Sequence, residues 1–109
     1  MADLQRCNLE SAFQPVAESK AVMLADFYKM FSDPGRVQIL YLLKGREICV
    51  NHIASVLNMT ISGVSHQLRL LRASGLVRYV REGKNIYYAL DDKHVEDMLD
   101  LAEAHLSHK

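Results

Sequence analysis

The chain of 109 residues carries 13 Lys and Arg against 13 Asp and Glu, a formal net charge of zero, with 50% hydrophobic residues; this predicts one domain with a sizeable core and excludes bulk disorder. No apolar run exceeds five residues, as at 21–25 and 39–43, against the roughly 20 that span a bilayer, so no transmembrane helix and no membrane partner are expected. The opening MADLQRCNLESAF has neither a basic leader nor an apolar segment, so no signal peptide and a cytoplasmic protein are expected.

Residues 1–15 read as an N-terminal tail and residues 16–109 as one continuous domain. Val16, Met23, Leu24, Phe27, Met30 and Phe31 recur at helical spacing and give a first helix with a broad apolar stripe, halted at Ser32-Asp33-Pro34. Asp33 is placed to cap a second helix that has Pro34 in its first turn and turns Val37, Leu40, Tyr41 and Leu43 inward. It ends at Lys44-Gly45, where glycine accepts a left-handed conformation. A short third helix is expected over residues 50–57, ending at Asn58, after which Thr60 caps a fourth helix that runs to Gly75. Val64, Leu68 and Leu71 share one face of that helix, while Ser62, Ser65, His66, Gln67, Arg69 and Arg72 cover the rest with hydrogen-bonding groups. Such a surface can read bases. Residues 76–81 and 85–90, rich in β-branched and aromatic side chains, flank Glu82-Gly83-Lys84 and predict a hairpin. A last helix over residues 92–108 carries the stripe Val95, Met98, Leu99, Ala102 and Leu106.

Zero net charge conceals a segregation. Residues 61–84 hold five cations (Arg69, Arg72, Arg78, Arg81 and Lys84) and one acid, Glu82, whereas residues 91–103 hold six acids and one cation, Lys93. The first segment suits phosphates and the second suits cations; the plainer alternative is a solvated surface of mixed charge. The order of short helix, tight turn, polar-faced helix and basic hairpin gives a fold that is mainly α with a β-hairpin, a winged helix-turn-helix.

Residues 47–90, above all SGVSHQLRLLRASGLVRYVREGKNIYYAL, resemble the ArsR/SmtB family of metal-responsive bacterial repressors, and the likeness extends over residues 21–108. The VSHQL start, the LLRASGLV helix exit and the REGKNIYY wing stand in family order and spacing. The resemblance implies that the helix over residues 60–73 enters the major groove and that the hairpin lies along the backbone or minor groove. Ser62, Ser65, His66 and Gln67 then meet base edges, Arg69 and Arg72 hold phosphates or guanine, and Arg81 and Lys84 of the wing hold phosphates. One such helix covers about four or five base pairs, so a homodimer on double-stranded, two-fold symmetric operator DNA is expected.

Asp92, His94, His105 and His108 are carboxylate and imidazole groups of the kind that zinc takes in tetrahedral sites. At about 100° per residue the three histidines share a helix face, but His94 and His105 lie roughly 16 Å apart along the axis, so one helix cannot build the site. An antiparallel pair of last helices, crossing near Leu99 and Asp100, brings Asp92 and His94 of one subunit to His105 and His108 of the other and makes two identical sites. Asp92 must then sit at the helix N-cap, where its carboxylate can turn inward. The alternative is a helix with incidental surface histidines. D-x-H followed by H-x-x-H matches the zinc site on the C-terminal helix of several family members. The resemblance thus implies a repressor that leaves its operator when Zn2+ fills these sites, or Co2+ or Ni2+, which suit the same ligands.

Cys7 and Cys49 are too few for a disulfide framework. Together with His52 they form a candidate second metal site, since some relatives join cysteines at the start of the third helix to cysteines from the partner's N-terminus. Cys49-Val50-Asn51-His52 departs here from the C-V-C motif of arsenic, cadmium and lead sensors. The alternative function is a repressor that answers to thiol oxidation or to thiophilic metals such as cadmium and lead through Cys7 and Cys49. An enzyme is not expected, because four ligands close the zinc coordination sphere and no Glu or Ser is spaced as base or nucleophile.

Overall fold

The computed structural model describes residues 14–108. Among these, five helices and three strands follow in the order α1 (Glu18–Lys29), α2 (Pro34–Leu42), β1 (Ile48–Cys49), α3 (Val50–Leu57), α4 (Ile61–Ala73), β2 (Val77–Glu82), β3 (Asn85–Leu90) and α5 (Lys93–Ser107). The tail expected over residues 1–15, with Cys7, lies outside the described residues except for its last two positions.

Local chemistry sets the boundaries of α2 and α4. The Asp33 carboxylate accepts from the Arg36 N–H at 3.0 Å with Pro34 in the first turn, and the Thr60 hydroxyl accepts from the Gly63 N–H at 3.0 Å; each satisfies an otherwise unpaired first-turn donor. Between α3 and α4 the chain reverses at Asn58, whose φ of 56° is the left-handed conformation that ends a helix. The corner of the helix-turn-helix is therefore built from the C-cap Asn58 and the N-cap Thr60, with Met59 between them.

Ile39 and Leu40 of α2 and Leu43 at its C-cap, Ile53 and Ala54 of α3, Val64, Leu68 and Leu71 of α4, and Val95 and Leu99 of α5 close the core over Leu76, Val77 and Leu90. Val37 and Tyr41, expected inward, are half-buried, and Ile39 is fully buried although its spacing does not single it out. α2 packs against both α3 and α4, so its buried face is wider than one stripe.

The strands form an antiparallel sheet in the order β1-β3-β2. β2 and β3 pair from Val77 with Leu90 to Glu82 with Asn85, so Glu82 belongs to the strand and the turn shrinks to Gly83-Lys84. Gly83, at φ 61°, supplies the positive φ that a tight hairpin needs at its first turn position. β1 lies outside the sequence expectation. Ile48 pairs with Tyr88 and Cys49 with Tyr87, and two residues are too few to show a strand period.

α1 buries no residue. It starts at Glu18, so Val16 falls before it, and the apolar side chains Val22, Met23 and Tyr28 are exposed. On α5 the expected stripe splits: Val95 and Leu99 are buried, while Ala102 and Leu106 are exposed together with Leu101. Between the two helices lies an apolar groove lined by Tyr28, Phe31, Met98, Leu101, Ala102 and His105. Among the described residues no helix is long and apolar enough to cross a membrane.

Candidate nucleic-acid interface and metal ligands

The inward residues of α4 anchor it, and its remaining side chains form a surface. Ser62, His66, Arg69 and Arg72 are exposed, and Ser65 is half-buried. Ser65, Arg69, Arg72 and Ala73 line an open groove that is closed on its other side by Tyr88 of the hairpin. The Arg72 guanidinium stacks 4.1 Å from the Tyr79 ring centroid, and Tyr79 packs across the strands on Tyr88 with centroids 6.0 Å apart. Sequence reasoning misses these aromatic supports, although alternation along β2 places Tyr79 beside a basic helix. Arg81 and Lys84 stand exposed on either side of Gly83 at the hairpin tip. Helix face, groove and hairpin tip thus each offer cations or hydrogen-bonding groups, the kinds of group that hold phosphates and reach base edges.

Gln67 is placed differently from its neighbours. It is half-buried, its Oε1 accepts from Arg36 Nη1 at 3.2 Å and its Nε2 donates to Asp33 Oδ2 at 3.1 Å. Both ends of the amide are therefore occupied within the chain.

Asp92 is the N-cap of α5, as its expected role requires, and accepts from the His94 N–H at 2.9 Å. Its second carboxylate oxygen lies 3.3 Å from His94 Nδ1. The hydrogen bond from His94, with the backbone N–H bonds, holds the Asp92 carboxyl below the usual carboxylate range. His105 and His108 are exposed at the opposite end of the helix. Among the described residues of one chain, no three His, Cys, Asp or Glu side chains gather as a group able to hold a metal. Cys49 is half-buried at the N-cap of α3, and His52, one turn further on, is exposed.

The middle of α5 is fastened to α2. The Tyr41 hydroxyl donates to Glu103 Oε1 at 2.7 Å and lies 3.3 Å from the Leu99 carbonyl, while Lys44 Nζ meets Asp100 Oδ1 at 2.6 Å. The bond to Glu103 raises the Tyr41 phenol above its ordinary value, and the bond to Asp100 raises the Lys44 ammonium. Local spacing signals neither pair, because the partners are more than fifty residues apart.

Fold and surface together define a winged helix-turn-helix DNA-binding protein. The arsR family model of bacterial regulatory proteins matches residues 33–79. A transcriptional repressor SmtB homolog of Synechocystis sp. is 39% identical over 87 residues, covering 80% of this chain and 66% of that protein. A cadmium resistance transcriptional regulatory protein CadC homolog of Staphylococcus aureus is 37% identical over 95 residues, covering 86% of this chain and 78% of that protein. Among solved structures, a homodimeric winged helix-turn-helix DNA-binding domain from Mycobacterium bovis superposes with a TM-score of 0.77 at 28% identity, covering 89% of this chain and 91% of that one. The chain belongs to the arsR family of bacterial regulatory proteins, and these relatives are transcriptional regulators rather than enzymes.

Proposed function

We propose that the protein is a transcriptional repressor that holds a two-fold symmetric operator as a homodimer and releases it when zinc fills two sites shared between α5 helices. The observation that carries this reading is the division of donors along α5. Asp92 and His94 are already paired at its N-terminus, and His105 and His108 are exposed at its far end, so an antiparallel second copy completes both halves at once. Carboxylate plus imidazole suits Zn2+, and equally Co2+ or Ni2+. The relatives' own descriptions, a repressor, a cadmium-resistance regulator and a homodimeric DNA-binding domain, support metal response, DNA binding and dimerisation.

Asp92 and His94 of one subunit and His105 and His108 of the other would hold the cation, and its charge would offset the carboxylates that line this junction. Within each chain α5 packs on β3 and is tied to α2 by Tyr41 and Lys44, so a displaced α5 carries the wing and the helix-turn-helix with it. The reading requires reciprocity: zinc must prefer the conformation with poor DNA affinity, and operator must weaken zinc binding by the same factor, ordinarily about 1–3 kcal/mol of coupling.

Zinc titration of the protein on a fluorescent operator, followed by anisotropy, tests it. Zinc is expected to release the DNA. His105→Gln is expected to abolish the release and leave metal-free affinity intact, with Cys7→Ser responding normally. Cys49 at the start of α3 with His52 one turn away favours the second reading, a redox or cadmium- and lead-responsive repressor that uses Cys7 and Cys49. Release by His105→Gln at the normal zinc concentration, with loss of response in Cys7→Ser or Cys49→Ser, would move the regulatory site to the cysteines.

A further inference from the structure

Gln67 on α4 sits in a closed ring of hydrogen bonds with Asp33 and Arg36. Asp33 Oδ2 accepts from Gln67 Nε2 at 3.1 Å and from the Arg36 N–H at 3.0 Å, and Arg36 Nη1 donates to Gln67 Oε1 at 3.2 Å. The rest of the Arg36 guanidinium closes the end of α1: Nε donates to the Met30 carbonyl at 3.0 Å and Nη2 to the Lys29 carbonyl at 3.1 Å. One planar fork therefore joins the last carbonyls of α1, the start of α2 and the middle of α4.

Gly35 gives an independent sign that this junction is fitted closely. A Cβ at that position would lie 3.1 Å from Asp33 Oδ2, 3.6 Å from Met59 Cε and 3.8 Å from Gln67 Nε2, and its φ is outside the left-handed region. An added Cβ would press on the Asp33 carboxylate and meet Met59 and Gln67 at ordinary contact distance.

A glutamine that reads adenine needs its carbonyl and its amide together. Here both are engaged with charged partners, in bonds roughly twice as strong as neutral ones. Turning Gln67 outward would leave half-buried groups of Asp33 and Arg36 short of partners. We propose that Gln67 is a positioning residue and not a base reader: with Asp33 and Arg36 it locks α4 to the α1–α2 junction, so the angle at which α4 meets DNA follows α1. The inference rests on α4 being the DNA-reading helix. It gives α1 a role in readout, since that helix carries apolar side chains that are exposed among the described residues.

The test uses the full chain and a random-sequence duplex library, at a temperature where thermal unfolding and sedimentation show each variant folded and of wild-type mass. Gln67→Ala is expected to bind the wild-type-selected duplex about tenfold more weakly, the order set by losing a hydrogen bond to a charged group, while the preferred base at every position and the salt slope stay unchanged. Arg36→Lys, which keeps the charge but not the fork, should show the same uniform loss and shift the Gln67 side-chain amide resonances in a nitrogen–proton spectrum. The double variant should be no weaker than the weaker single one. Gly35→Ala, which deletes no hydrogen-bonding group, should give a smaller loss of the same kind and decides the matter if Arg36→Lys does not fold. Loss of preference at one base pair of each half-site in Gln67→Ala, or wild-type binding by both Arg36→Lys and Gly35→Ala, would overturn the inference. A wild-type protein that selects no sequence would instead overturn the DNA-reading role of α4, and the inference with it.

Discussion

At the scale of single residues, one cation of the α4 surface, Arg72, is held by an aromatic ring. A lysine or arginine on a helix surface is ordinarily free to sample many rotamers, and holding it for a phosphate has an entropic cost. Arg72 is held in advance over Tyr79, which is itself braced on Tyr88. Arg72→Ala and Arg69→Ala are each expected to weaken operator binding and to lower the slope of log affinity against log salt by about 0.9 for each phosphate left without its cation, with zinc affinity unchanged. Tyr79→Ala should weaken binding by about 0.5–1 kcal/mol per subunit through Arg72, and Tyr79→Phe should retain it, because the ring face and not the hydroxyl carries the contact. Anisotropy titrations at several salt concentrations measure both effects; full affinity in Tyr79→Ala would remove the supporting role of the ring.

At the scale of elements, the connection that matters most for a metal-linked response is α2 to α5. The two surface contacts that tie α5 to the end of α2, Tyr41 with Glu103 and Lys44 just past the helix with Asp100, are three residues apart on each side, so they act together. Both Tyr41 and Lys44 have their pKa raised by these bonds. A group raised on folding contributes stability that is full below its ordinary value and is lost as pH rises through the folded value. The clamp is therefore intact at neutral pH and loosens above pH about 10. The thermal midpoint of the wild type is expected to fall as pH rises above about 10, and that of Tyr41→Phe/Lys44→Met to fall less. Equal falls in the two proteins would show that these pairs do not hold α5.

At the scale of the whole molecule, the described residues of α1 and α5 present apolar side chains on the surface. Met23 of α1 is 63% exposed and Leu106 of α5 is 67% exposed, and between the helices runs the groove lined by Tyr28, Phe31, Leu101 and Ala102. Apolar surface of this kind is characteristic of interfaces, and dimerisation through it is what the proposed α5 sites would require. Sedimentation at micromolar concentration is expected to give twice the monomer mass of 12.4 kDa, with or without zinc. Leu101→Asp should shift the balance to monomer and weaken both operator binding and zinc binding. A wild-type monomer would sink the dimer and the shared metal site together.

The elements nearest the proposed DNA contacts are legible in the sequence by itself, since their causes are local. Asp33 and Thr60 cap donors three residues away, Asn58 and Gly83 take the turns that their neighbours need, and the spacing of Val64, Leu68 and Leu71 marks one helix face. The N-cap place of Asp92 follows from helix geometry in the same way. Other features depend on residues far apart in the chain. By spacing Gln67 belongs to the polar outer face, but its partners lie 31 and 34 residues earlier, and packing of α4 against the α1–α2 junction turns its amide inward. Cys49 becomes part of a sheet only because β3 passes beside it, and Tyr41 finds Glu103 across 62 residues. Periodicity and capping report on the nearest turn of chain, whereas which half-buried polar group meets which is settled when distant elements pack and each donor takes the acceptor left within reach.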